Sequence, residues 1–394
     1  MKILSFILLI LASLGLTSCY KEKYEGNLIK KDIPLVALGN EYTLTDSMMT
    51  AYFYENGNVP LVSIDEFINS LDGYFVADRI SRINVLLSNR VRYSWKYGSA
   101  TLNLDVDYEK DTIKVNDMYF FNFTKPMAGV DVMAYLKETD YKYHGDNSAS
   151  FNLQKYGFDI LNYNDEILVP INILNNLFLA TNVTNIIYNG DKFVFVPHYI
   201  SDSQVKEFRK SSLNGKNAPE DVRIANNKGL YFAMDYFYGL NEVKGFTNGF
   251  EEALKQNPAL YAKLNSVDPL ENRDAYIGIF MHLLDELHSS ADYLSYYMPA
   301  GTDEINIWDN LGPYWTEYYK LYDELIANYL SKFEHLKVLR YEGNTAFIKF
   351  NDFNLGWDDI IYDEKGNLKP DAWKNDTFEL MYKVMEMILC HGIQ

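Results

Sequence analysis

The apolar pattern of this chain changes period once, near residue 200, and that change bounds the fold. Between about 41 and 200 the pattern is mostly strand. Thr101-Leu102-Asn103-Leu104-Asp105-Val106-Asp107-Tyr108 alternates apolar and polar residues, as a strand with one solvated face does. Strands are expected at 91–97, 101–106 and 112–121. Asn185 to Val196 reads as a hairpin, with Asn189-Gly190 supplying the positive φ angles of a type I′ turn. From about 205 to 340 the period becomes helical. Asn257-Pro258 and Asp268-Pro269 each place a cap and a proline at a helix start, and Glu271 adds a carboxylate to the second first turn. That second helix carries Tyr276, Phe280, Leu283, Leu284 and Leu287 on one face and is expected to end near His288. A longer helix over about 313–336 has Trp315, Tyr318, Tyr322, Leu325, Tyr329 and Phe333 at helical spacing, a stripe expected to be core. Beyond it come a strand from Thr345 to Phe350, a turn at Lys365-Gly366-Asn367, and a helix capped by Asp376 and stopped by Gly392. The predicted class is α+β: an α/β module with antiparallel strands, single or tandem, over 41–204, a helical middle domain over 205–340, and over 341–394 the opening strand and helix of an α/β domain.

The N-terminus has a different logic. Lys2 and the apolar run Ile3 to Leu16 are too short for a bilayer core, which takes about 20 residues, so 1–18 reads as a signal peptide. Leu16-Thr17-Ser18-Cys19 matches the lipobox of bacterial lipoproteins, which predicts cleavage before Cys19 and lipidation of its thiol. Several acyl chains, each contributing about 0.8 kcal/mol per buried methylene, anchor a protein firmly. Residues 19–40 are polar and are expected to be a tether. Cys390 is the other cysteine of the chain, so with Cys19 lipidated no internal disulfide forms and the fold rests on its core. The formal charge of −18 repels nucleic-acid phosphates, so a nucleic-acid partner is not expected. The expected partner is a membrane, reached through the lipid from its extracytoplasmic side.

One unit is expected to be used twice within 41–200. Val59-Pro60-Leu61-Val62-Ser63-Ile64 and Val169-Pro170-Ile171-Asn172-Ile173-Leu174 both put Val-Pro before a short amphipathic segment with strands after it. This resembles the small α/β module named after the N-terminal domain of copper amine oxidases. The module is an accessory, and no copper chemistry follows from the name.

For chemistry, the six histidines (His144, His198, His282, His288, His335, His391) include no pair at i,i+4 spacing, and there is no cysteine pair. No metal site or cofactor is expected. Asp358, Asp359, Asp363 and Glu364 lack calcium-loop spacing and read as a solvated loop. The segment that suggests chemistry is Phe280 to Tyr293, where His288 is followed by Ser289 and Ser290. A histidine at a helix C-terminus is either a cap or, with a nucleophile nearby, a general base. Leu284-Asp285-Glu286-Leu287-His288-Ser289, followed later by Thr345-Ala346-Phe347-Ile348-Lys349-Phe350, resembles the tail-specific, or carboxy-terminal-processing, serine peptidases, including their tricorn-like branch. The resemblance covers about 225–394. It implies that His288 is the catalytic base, that peptides or proteins are the substrate, and that the serine nucleophile lies on a segment later than 394. The expectation is a peptidase-like chain unable to cut alone. The alternative is a non-enzymatic surface lipoprotein that binds a peptide, glycan or partner protein.

Overall fold

The computed structural model describes residues 26–39, 41–85, 88–125, 147–196, 206–286, 289, 297–299, 311–333, 339–343, 345–348 and 377–390. The chain divides into two compact units. The first comprises Met1–Lys125, Asp140–Tyr276 and Asp292–Asp303; the second comprises Pro126–Thr139, Ile277–Ala291 and Glu304–Gln394. The fold is mixed α+β with antiparallel sheets.

Among the described residues the first unit contains twelve strands: β1 (Ile29–Ala37), β2 (Met48–Phe53), β3 (Leu61–Ser63), β4 (Ser81–Asn84), β5 (Arg90–Tyr97), β6 (Ala100–Asp107), β7 (Thr112–Val115), β8 (Ala149–Asn152), β9 (Leu161–Tyr163), β10 (Glu166–Pro170), β11 (Asn185–Tyr188) and β12 (Phe193–Val196). Seven of them form a sheet in the order β11-β12-β1-β2-β3-β10-β9, and five form a meander, β4-β5-β6-β7-β8. Every neighbour is antiparallel except β1 and β12, which run parallel with Leu35 opposite Phe193. In the meander, alternation does what it should. Val91, Tyr93 and Trp95 of β5 and Leu102, Leu104 and Val106 of β6 point inward.

Two helices spring directly from the seven-stranded sheet: α1 (Ile64–Ser70) from β3, and α2 (Ile171–Phe178) from β10. Leu61-Val62-Ser63-Ile64 and Leu168-Val169-Pro170-Ile171 are therefore equivalent, each a strand end followed by the first residue of a helix. The two strands pair with Val62 opposite Val169, Leu61 opposite Pro170 and Ser63 opposite Leu168. Val62 faces its own counterpart, so a local two-fold axis passes through that pair. The sequence repeat was expected to align Val59-Pro60 with Val169-Pro170, and the structure shifts that register by three residues. Pro60 precedes β3, whereas Pro170 occupies the N-cap of α2 with φ −56°. Its counterpart Ser63 caps α1 differently, its hydroxyl accepting from the backbone N–H of Glu66 at 3.1 Å. Pro170 makes no side-chain cap hydrogen bond, so the strand-to-helix geometry repeats while the capping does not.

The core between these elements is aromatic. Phe178 of α2 lies against Phe67 (ring centroids 5.8 Å apart), Phe121 (5.0 Å), Phe75 (6.2 Å), Phe123 (6.4 Å) and Phe120 (6.5 Å). Most of these contacts are edge-on, the arrangement that ring quadrupoles favour. Helices α3 (Glu220–Phe237), α4 (Phe250–Lys255), α5 (Pro258–Leu264) and α6 (Pro269–Ile277) follow, α6 reaching the second unit at Ile277. As expected, Asn257 caps α5, its side chain accepting from Leu260 N, and Asp268 Oδ1 accepts from Leu270 N at the start of α6.

The boundary expected at 204/205 does not separate units. Asn172 and Asn176 of α2 donate to the carbonyls of Ala225 and Gly229, and Phe151 of β8 packs on Phe232. Asp235 joins the helices to the β region more tightly still. Its Oδ2 accepts from Lys155 Nζ and the Tyr156 hydroxyl, both at 2.7 Å, and its Oδ1 accepts from Phe250 N at the start of α4.

Three further expectations change. The tether expected over 19–40 does not include 29–37, which form β1. Ile33 and Leu35 point inward there, and Lys30, Lys31 and Asp32, which made the stretch look polar, are exposed. The turn at Asn189-Gly190 is not a two-residue type I′ turn, since Tyr188 pairs with Phe193 and four residues make the loop. Asn189 is buried. Its side-chain oxygen accepts from Asp191 N and Lys192 N, and its amide donates to Phe208 O, so the side chain folds the loop itself. The strand expected over 112–121 ends at Val115. Asp117 then starts a 3₁₀ turn, Met118–Asn122, by accepting from Tyr119 N.

In the second unit, a π-helical turn (Gly278–Leu284) is followed by α7 (Pro313–Phe333), a hairpin of β13 (Leu339–Glu342) and β14 (Thr345–Ile348), and α8 (Thr377–Cys390). Among the described residues β14 pairs only with β13, Glu342 opposite Thr345. Gly343, at φ 59°, takes the left-handed position of the turn. The aromatic stripe of α7, expected to be core, is instead largely exposed. Tyr318 is 38% exposed, Tyr322 46% and Leu325 64%, while the side chains of Tyr329 and Phe333 lie outside the described residues. The turn at 365–367 and the expected cap Asp376 also lie outside them.

Candidate functional site

The structure gives the histidine segment a partly structural meaning. The helix expected to run to His288 stops at Leu284, and Asp285 follows in the left-handed region at φ 41°. The dipole argument for His288 therefore loses its helix end. His288, Ser290 and Cys19 lie outside the described residues, whereas Ser289 is half-buried. Asp285 turns its carboxylate to the start of α7. Oδ2 accepts from Tyr314 N at 2.9 Å and Oδ1 from Trp315 N at 3.2 Å, while the Trp315 indole donates to Glu286 O at 3.0 Å. A carboxylate at a helix N-terminus satisfies orphan N–H groups and meets the favourable end of the dipole. Gly312 passes so close to Met281 O and the Asp285 carboxylate that a Cβ there would collide with both. The segment is thus a joint between two helical pieces. His282, the one histidine among the described residues, is exposed. No cluster of three metal-ligating side chains occurs among the described residues, and no described helix is long and apolar enough to cross a membrane.

A cleft lies elsewhere, in the first unit. About 370 Å³ in volume, it is lined by Asp117, Met118, Tyr119, Phe121, Asn122, Asn147, Thr181 and Asn182. One wall is the 3₁₀ turn Met118–Asn122, whose start is held by Met118 N donating to Asn147 O at 3.0 Å. The other is the 3₁₀ turn Ala180–Asn182 that follows α2. Both walls are fixed from below. Phe120 and Phe121 bury themselves against Phe178, the last residue of α2, and the Trp95 indole donates to Phe120 O at 2.9 Å. The second wall ends abruptly at Val183, a β-branched residue in the left-handed region at φ 55°. Such a residue costs about 1–3 kcal/mol and persists where its surroundings over-determine it. Val183 is 43% exposed, so burial of its side chain does little to offset that cost.

The polar groups of the cleft are uncharged but for one. Asn122, Asn147 and Thr181 stand at the exposed rim, and Asp117 is buried with Oδ1 engaged by Tyr119 N. Asn182 turns its amide nitrogen inward, shut off from solvent, towards Tyr74. Burial pushes the Tyr74 hydroxyl up to about 12, with the Thr184 and Asn182 side chains pulling the other way. Tyr119 forms an aromatic wall, its ring 4.7 Å from that of Tyr97 and 6.3 Å from Trp95. None of these residues stood out in the sequence. The available signal was the run Asn116-Asp117-Met118-Tyr119-Phe120-Phe121-Asn122, too aromatic and too asparagine-broken for a plain strand.

Comparison of the chain with protein-family models, curated proteins and solved structures found no match.

Proposed function

We propose that this chain is an extracytoplasmic lipoprotein, held to a bacterial membrane by a lipid on Cys19, that works by binding rather than by hydrolysis. The lipobox Leu16-Thr17-Ser18-Cys19 supports the anchor. The cleft of the first unit supports binding: its walls are fixed by a buried aromatic floor, and its lining holds one engaged carboxylate, three carboxamides and the hydroxyl-bearing Thr181 and Tyr119. Pre-formed concave sites of this kind bind without paying to order themselves. Hydrolysis by a serine mechanism needs a nucleophile, a base beside it and an oxyanion hole. Of the segment that suggested such chemistry, Asp285 is engaged at both oxygens as a helix cap.

A second reading is a relative of the tail-specific serine peptidases that is inactive alone. The order of the 284–289 segment and the 345–350 strand favours it. Both readings give the same result with a serine-reactive fluorophosphonate probe: the full chain is not labelled. Labelling, or turnover of a peptide pool by the purified protein, would overturn the binding reading. The anchor is tested separately. The wild-type chain should partition with membranes and carry an acyl mass at Cys19, whereas Cys19→Ala should be recovered in soluble form.

A further inference from the structure

We infer that the cleft between the 3₁₀ turns Met118–Asn122 and Ala180–Asn182 takes a neutral, hydroxyl-rich ligand, a saccharide, an inference that rests on the binding reading above. Its volume of about 370 Å³ falls within the range of roughly 300–1,000 Å³ typical of small-molecule sites. The chemistry of the lining then selects the class. No lysine, arginine or histidine is among the lining residues, so an anion would meet no countercharge and would face the Asp117 carboxylate. A purely apolar ligand would strip water from the rim groups Asn122, Asn147 and Thr181 without replacing their hydrogen bonds.

Asn122 and Asn147, at the exposed rim, each carry a donor and an acceptor side by side, and Thr181 offers both on one oxygen, whereas Asn182 keeps its donor turned inward. Ligand hydroxyls have the same double character, so each such side chain suits a hydroxyl pair rather than a single charge. Tyr119 supplies the apolar face that the C–H side of a sugar ring needs. Tyr97 and Trp95 back that ring and hold it, which lowers the cost of ordering it. An extended peptide would instead look for an open strand edge, and these walls are 3₁₀ turns.

The test uses the full-length protein in detergent on an array holding neutral oligosaccharides, acidic oligosaccharides and peptides, followed by calorimetry on whatever is retained. The expected result is retention of neutral oligosaccharides, weakened about tenfold or more in Tyr119→Ala and in Asn122→Asp, since losing one good contact is of that order. Asn122 is exposed and Tyr119 half-buried, and unchanged thermal melting shows that the fold is intact in each variant. Asn122→Asp keeps the shape and changes only donor to charge, so it separates hydrogen-bond recognition from packing. Three outcomes overturn the saccharide: no neutral oligosaccharide retained, retention equal in wild type and both variants, or retention of acidic oligosaccharides or peptides alone. The last of these leaves the broader binding reading standing. Hydrolysis of an arrayed peptide would sink that reading as well.

Discussion

Among the described residues, the two compact units treat their large apolar side chains in opposite ways. In the first, Phe67, Phe75, Phe120, Phe121, Phe123 and Phe178 are all at most 1% exposed and touch one another. In the second, α7 exposes Tyr314, Tyr318, Leu321, Tyr322 and Leu325, and α8 exposes Tyr382, Met385 and Met387. The residue types are alike; the surroundings differ. A helical stripe of tyrosines and leucines does not by itself say whether it is core, because the same 3.6-residue period serves a buried face and an exposed one. What distinguishes the first unit is that strands, 3₁₀ turns and helices converge on one set of rings.

That contrast predicts a large difference in response to truncation. Phe178→Ala removes a ring that five other phenylalanines touch and should cost about 3–5 kcal/mol, enough to consume much of a domain's stability. Leu325→Ala, on the exposed face of α7, should stay within about 0.5 kcal/mol. Urea denaturation of the two variants against wild type measures both. Equal effects would show that α7 is covered in solution, and the contrast between units would collapse.

A smaller effect tests what ties the helices of the first unit to its sheets. Asp235→Ala leaves Lys155, the Tyr156 hydroxyl and Phe250 N without their shared acceptor, and should cost about 2–3 kcal/mol. The same node makes stability fall in alkali. Burial, followed by the hydrogen bond to Asp235, raises the Tyr156 pKa, so the folded state favours the protonated phenol. The stability this gives is complete below the unfolded pKa of about 10 and is lost as pH rises beyond it. Between about pH 9 and 11, Tyr156→Phe should lose less stability than wild type, as read from urea midpoints across that range. Parallel losses would show that Tyr156 does not carry the titration.

Much of the first unit was legible because its patterns are local. Strand alternation at 91–97 and 101–106, the Asn257-Pro258 helix start and the double use of a strand–helix unit all rest on neighbours within a few residues. The misreadings came where a side chain or a distant strand decides. Asn189 looked like a turn residue with a positive φ, and in fact folds its loop with its own carbonyl oxygen. Lys30, Lys31 and Asp32 looked like a tether, yet β2 and β12 recruit that stretch as a strand. Val59-Pro60 imitated Val169-Pro170, although helix geometry makes Ser63 the true counterpart of Pro170. The cleft was the least legible feature. Its residues come from three stretches whose meeting depends on Phe178 and Phe121 packing together, and no periodicity records that contact.

The smallest effect concerns the second unit, whose described contacts are few but include one well-made joint. Asp285 was read as part of a histidine–serine motif, and its carboxylate instead caps α7 through Tyr314 N and Trp315 N. Asp285→Ala should cost about 1 kcal/mol, the usual worth of such a cap. Its left-handed backbone, φ 41°, adds a little more, because alanine tolerates that region less well than aspartate. Asp285→Asn keeps an accepting oxygen and tolerates the same φ, so it should recover most of the loss. Amide exchange at Tyr314 and Trp315 reads the cap directly and should quicken in the alanine variant alone. If Asp285→Asn quickened those amides as much as alanine does, the charge rather than the hydrogen bond would hold the helix start, and the joint would be one of dipole and carboxylate.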